Sequence, residues 1–161
     1  MRKQMVGLAA EFAVASELCR RDIYAQLTLG HQKQTDLLIF SEDGELLRIE
    51  VKGKQGREWP NCKGVCGSNV ILVFVDFAGK SEVERPDFYI LTVGDWRDFA
   101  QGEIEKARAK GKRVELNERN VAVWGEQVNA QAKPHEGIGI KPKQVQHHKE
   151  KWGKIIQAVS E

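Results

Sequence analysis

The sequence predicts an α/β fold: a single domain, residues 1–161, with a central mixed β-sheet flanked by helices. Three observations predict it. Residues from about Lys3 to Arg21 repeat with helical period. The stretch "TDLLIFSEDGELLRIEVKGK", Thr35 to Lys54, alternates apolar and polar residues on both sides of an Asp-Gly turn. "VILVFVDF", Val70 to Phe77, is almost wholly apolar, as a strand covered on both faces would be. A length of 161 residues suits one domain, and 41% hydrophobic with 30% charged residues allows a buried core under a soluble surface.

The first helix places Leu8, Phe12, Ala15 and Cys19 on one side, extended by Val14 and Leu18, at about 100° per residue. Glu17, Arg20 and Arg21 fall on the wet side. Glu11 does not: it points between Ala15 and Leu18, inside the apolar arc, where a carboxylate needs a partner. The same residue interrupts the apolar run that a signal peptide would need, so the segment reads as a helix of the mature protein. Ile23 to Leu29 suits a first strand and Gly30 to Gln34 a polar loop. In the hairpin, a two-residue turn at Asp43-Gly44 would mix Leu37 and Ile39 with Arg48 and Glu50 on one face. A three-residue loop, Glu42-Asp43-Gly44 with a left-handed glycine, gives an all-apolar face of Leu37, Ile39, Leu47, Ile49 and Val51. The three-residue register is therefore expected, and it sets Asp36 opposite Glu50.

A mobile, glycine-rich and cationic loop is expected over residues 53–69. "DFYILTV", Asp87 to Val93, reads as the next strand. Asp95 to Ala109 reads as a helix with its N-cap at Asp95 and an interruption at Gly102. Residues 113–123 suit one or two short strands. A basic terminal helix is expected over about 142–159, with Pro142 in its first turn and Trp152 packed.

The net charge of +2 does not announce a nucleic-acid binder, but the charge is uneven. Residues 133–154 hold six lysines against two acids, a surplus suited to phosphate or to a solvated face. Three cysteines, Cys19, Cys62 and Cys66, are too few and odd in number for a disulfide framework; they fit a reducing, cytoplasmic setting. Cys62 and Cys66, spaced C-x3-C, read as packing or loop cysteines ahead of a zinc site. No run is long enough to span a membrane.

In the expected register Asp36 and Glu50 face each other, with Lys52 two residues along on the same face as Glu50. Opposed like charges destabilise a sheet. A divalent cation such as Mg²⁺, held by carboxylates and water, would reverse that sign, and the lysine would add positive charge beside it. Glu11 could reach the same centre. The bland alternative is the solvent face of an edge hairpin whose acids Arg48 and Lys52 neutralise.

"AAEFAVASEL", "TDLLIF", "IEVKGK", "VILVFVDF" and "PDFYILTV" together resemble the core of the PD-(D/E)XK nuclease superfamily, shared by restriction endonucleases and Holliday junction resolvases. The resemblance covers roughly the first two-thirds of the chain. It matches Asp36 to the motif's Asp, Glu50 and Lys52 to its (D/E)XK, and Glu11 to a helix glutamate of many members. Thr35 stands where the motif has proline, which does no chemistry there. The resemblance implies a restriction endonuclease-like fold and phosphodiester hydrolysis by metal-activated water. Asp36, Glu50 and the Val51 carbonyl would hold Mg²⁺, with Mn²⁺ able to substitute. Glu11 would hold a second ion or its water shell. Lys52 would orient the nucleophile or stabilise developing charge. The loop cations Lys54, Arg57 and Lys63, with Trp59 as a stacking contact, would meet nucleic acid, DNA ahead of RNA. Lys141, Lys143 and Lys149 would add phosphate contacts. Cutting two strands with one site per chain would call for a homodimer. The alternative is a non-catalytic nucleic-acid-binding or protein-interaction module on the same fold.

Overall fold

The structure is a computed structural model that describes residues 1–28, 35–41, 43–125 and 134–160. The loop expected at 30–34 and Glu42 of the hairpin turn lie outside the described residues, as does Lys133. The elements run α1 (Lys3–Cys19), β1 (Ala25–Leu27), β2 (Leu37–Phe40), β3 (Leu46–Lys54), β4 (Trp59–Cys62), β5 (Val70–Asp76), β6 (Asp87–Thr92), α2 (Val93–Ala109), β7 (Val114–Leu116), β8 (Ala122–Trp124), β9 (His135–Glu136), β10 (Ile138–Ile140) and α3 (Gly153–Ser160). A five-stranded sheet in the order β1-β2-β3-β5-β6 forms the centre. It is mixed: β3 and β5 pair in parallel, and every other neighbour pair is antiparallel. β4 pairs with β10, and β7, β8 and β9 form a small antiparallel sheet. The fold is α/β, as expected. Among the described residues no helix is long and apolar enough to cross a membrane.

Every residue of β5 is buried, which explains its unbroken apolar run. One face of the sheet, with Ile49, Val51, Val73 and Ile90, is covered by α1 and α3; the other, with Leu72, Phe74 and Leu91, is covered by α2 and β4. α1 has two apolar stripes, and the sheet takes the one with smaller residues. Val6, Ala10, Val14 and Leu18 are buried, whereas Leu8, Phe12 and Cys19 are exposed. The reason is close approach. A Cβ on Gly53 would lie 2.7 Å from Ala10 Cβ and 2.8 Å from the Val6 carbonyl, so the helix rests directly on the β3 backbone. Glu17, expected in solvent, is buried. Arg85 grips it from 2.8 Å and Arg21 from 2.7 Å, and Arg85 also pairs with Glu150 at 2.8 Å.

Three local expectations are corrected. Residues 53–69 are not simply a loop: β4 lies within them, and Trp59 enters the core against Phe74 and Tyr89, donating its indole N–H to the Val75 carbonyl at 3.3 Å. It is unavailable for stacking on a base. α2 starts at Val93 and is capped by Thr92, whose hydroxyl accepts from the Asp95 N–H; Asp95 answers by accepting from the Thr92 N–H, and the helix runs through Gly102. The terminal helix is broken. Two 3-10 turns, Pro142–Gln144 and Gln146–His148, precede an extended Lys149 that bridges to Tyr89, and α3 begins only at Gly153. Glu150 adopts a left-handed φ of 56°, which no continuous helix permits. Trp152 packs against Phe88, as expected.

Candidate active site

The hairpin takes the three-residue register, with Leu37 opposite Ile49 and Ile39 opposite Leu47. Gly44 has φ 81°. The five apolar residues of the inner face are all buried. The β2 ladder ends at Leu37, but β3 continues to Lys54, so Glu50 to Lys54 have no partner strand on the β2 side. The site lies at that open edge.

Asp36 stands one residue before the ladder. Its N–H donates to the Ile49 carbonyl at 2.9 Å, and its Oδ2 accepts from the Val51 N–H at 2.6 Å. The Arg48 N–H donates to the Asn69 carbonyl, and the Lys54 carbonyl accepts from the Phe77 N–H. Even-numbered residues of β3 thus point their backbone groups at the β5 side. Val51 points the other way, so its carbonyl faces the open edge beside Asp36. Glu50 is only 5% exposed, next to Leu72 in the parallel register. Its Oε1 meets Lys52 Nζ at 2.8 Å. Burial works against the charge on Lys52, yet Glu50, and more weakly Asp36, outweigh it and hold the ammonium above its ordinary value.

Glu11 is half-buried on α1. Burial raises its carboxyl above the usual range, the Asp36 charge adds to this, and Lys52 partly offsets it. Glu11 therefore shares a field with Asp36 and Lys52 from the opposite layer. It does not complete a cage: among the described residues no three His, Cys, Asp or Glu side chains gather as metal ligands do. The donors at the edge are two carboxylates and one backbone carbonyl. That set fits a hard cation, which takes one or two carboxylates and keeps several waters.

The expected nucleic-acid contacts separate. Lys54 is withdrawn: its side chain is 4% exposed, pairs with Asp76 at 2.5 Å, donates to the Gly56 carbonyl at 3.0 Å and lies over Trp59. Lys149 is spoken for by Asp87 at 2.9 Å. Arg57, Lys141 and Lys143 come together around one open hollow of about 570 Å³. Lys63 pairs with Glu136 and lines a second cleft that Glu50 also borders. Two further cations line that cleft, Arg48 and Arg119. Arg119 carried no signal in the sequence, because its neighbours there come from residues far away in the chain. Cys62 packs close by; burial pushes its thiol up to about 12, so it stays neutral. All three cysteines are free.

No family model matches the chain, and none of the curated proteins does. Among solved structures it is similar to the bacterial homing endonuclease I-Ssp6803I, with 15% identity and a TM-score of 0.47, over 98% of this chain and 93% of that one.

Proposed function

We propose that the chain is a metal-dependent nuclease that hydrolyses phosphodiester bonds of DNA at the open edge of β3. One observation supports this reading: Asp36 holds the Val51 N–H, and Glu50 pairs with Lys52, on the stretch of β3 where the β2 side of the backbone is left without a partner strand. Glu50 is buried with Lys52 as its one ion-pair partner among the described residues. A solvated surface pair has no reason to be buried, since such pairs contribute little. Asp36 and Glu50, with the Val51 carbonyl, would hold Mg²⁺ or Mn²⁺. When bound, the ion would supply Lewis acidity and ease the ionisation of water at neutral pH. Lys52 keeps its proton well into the alkaline range and so offers a fixed positive charge to a phosphoryl oxygen. Asp36 is oriented by the Val51 N–H, which leaves Oδ1 for a ligand. Glu11 adds negative charge from the α1 side. The hollow of Arg57, Lys141 and Lys143 would track the DNA backbone.

The Glu50–Lys52 contact also suits a non-catalytic module in which the two charges merely satisfy each other. Plasmid cleavage separates the readings. The protein is expected to nick or cut DNA with Mg²⁺ or Mn²⁺ and not in excess chelator, and Glu50→Ala and Lys52→Ala to be folded but at least 100-fold less active, the scale of one lost electrostatic contact. Activity undiminished in chelator, or retained in either variant, would sink the nuclease reading.

A further inference from the structure

The cleft beside Glu50 is built from three separate elements. Arg48 comes from β3, the floor from residues 63–66, and Arg119 from the turn between β7 and β8. That turn is fixed in place. Asn117 Oδ1 accepts from the N–H groups of Arg119 and Val121 at 2.9 and 3.0 Å. The Asn120 carbonyl accepts the Trp96 indole N–H at 2.8 Å, and its side chain donates to the Val65 carbonyl at 3.4 Å. Trp96 in turn lies so close to Gly64 that a Cβ there would overlap its ring at 1.7 Å. Arg119 is thus held at the rim by a turn docked on the loop that forms the floor.

The charges in the cleft do not cancel. Glu50 is matched by Lys52, and Lys63 by Glu136. Among the described residues the Arg48 guanidinium donates only to the Ser68 carbonyl, at 3.3 Å. Neither the Arg48 nor the Arg119 guanidinium has a carboxylate within ion-pair distance among the described residues; Glu136, which pairs with Lys63, meets the Arg119 charge only from beyond that distance. The enclosed part of the cleft, about 20 Å³, holds little more than one water. An anion would therefore sit at the mouth, between the two guanidiniums. A guanidinium fork matches the oxygens of a phosphate, and Arg48 lies two residues from Glu50 on the same face of β3, about 7 Å along the strand.

We infer that Arg48 and Arg119 form a phosphate seat adjoining the reacting centre, where a second phosphodiester of the substrate strand is clamped. Placing it next to the scissile phosphate rests on the nuclease reading; the seat as an anion site does not. The strand would then cross β3 with Arg48 and Arg119 on one side of Lys52 and the hollow of Arg57, Lys141 and Lys143 on the other.

The test uses the full chain, a duplex oligonucleotide in chelator, and inorganic phosphate. Arg119→Gln, on an exposed turn, is expected to weaken duplex binding roughly tenfold and to reduce the slope of log affinity against log salt by about 1. Arg119→Lys should recover part of the affinity. Arg97→Gln, an exposed arginine on α2, should change neither quantity. Inorganic phosphate at millimolar concentration should raise the melting temperature of wild type and not of Arg48→Gln/Arg119→Gln. Unchanged affinity and slope in Arg119→Gln, or an equal phosphate shift in the double variant, overturns the seat. If wild type neither binds nor cuts DNA but the phosphate shift is present and lost in the double variant, the seat stands for free phosphate and the nuclease reading fails. If wild type shows neither DNA binding nor a phosphate shift, both fail.

Discussion

Lys52 and Lys54 lie two residues apart on the same face of one strand, yet they have opposite fates. Lys52 stays at the open edge beside Glu50, whereas Lys54 turns into the core to meet Asp76, its register partner on β5. The sequence made the hairpin register and the shared face of Glu50 and Lys52 legible because they depend on a local turn and an alternation that can be counted. It hid the burial of Lys54, Trp59 and Glu17, because their partners Asp76, Val75 and Arg85 arrive through tertiary pairing. In the proposed reading Asp36 has two tasks, as an acceptor for the Val51 N–H and as a charge toward a cation. Substitution separates them. Asp36→Asn retains an acceptor and removes the charge, so in chelator it should melt no lower than wild type while losing any Mg²⁺-induced shift. Asp36→Ala also strands the Val51 N–H and should cost about 1–2 kcal/mol. Thermal melts of the three proteins in chelator and in millimolar Mg²⁺ measure both effects; an undiminished Mg²⁺ shift in Asp36→Asn would remove Asp36 from the ligand set.

At the scale of elements, α1 and β3 are set against each other through Gly53. Its φ is unremarkable for any residue; what excludes a side chain there is the helix backbone overhead. Gly53→Ala should push α1 off the sheet and destabilise the protein by about 1–3 kcal/mol, as overpacked sites do. Because Glu11 rides on the same helix, its coupling to Asp36 should weaken too. Urea melts check the first effect, and a carboxyl titration by NMR the second: Glu11 should titrate nearer its ordinary range. A variant as stable as wild type would show that the helix is not seated there. Element identity was readable for α1, β2, β3, β5 and β6, whose patterns are long or wholly apolar. The cap of α2 and the break before α3 were not. Thr92 could be read equally well as the end of a strand, and the Lys149 bridge to Tyr89 is a long-range pairing that no local period reports. The exposed Leu8 and Phe12 show the same limit: a hydrophobic arc gives a helix, but the close approach at Gly53 decided which side of it was buried.

For the whole molecule, the joint between the first helix and the C-terminal segment is ionic. Glu17 of α1 is clasped by Arg21 and Arg85, and Arg85 continues to Glu150 beside Trp152. The Arg85 hydrogen bond holds the Glu17 carboxyl down at about 2, against a desolvation cost and with help from Arg21. An unfolded glutamate titrates near 4.5. On acidification the unfolded chain takes up this proton first. The stabilisation is therefore whole above pH 4.5 and drains away as pH falls toward 2, a total of about 3 kcal/mol. Glu17→Gln should lose a similar amount at neutral pH and show a flatter stability profile between pH 4.5 and 2, measured by denaturant melts across that range. A parallel profile in the variant would show that the clasp is not the acid-sensitive joint. The sheet itself partitions the molecule into two cores, one under α1 and α3 and one under α2 and β4. Because β3 outruns β2, that partition has a doorway. Glu11 stands on one side of it and Glu50 with Lys52 on the other, and Asp36 is the doorpost. Lengthening β2 backward through Asp36 would pair the Val51 N–H and carbonyl into the ladder and close it, so the shortness of that one strand is what lets charged groups from two layers meet at one open edge.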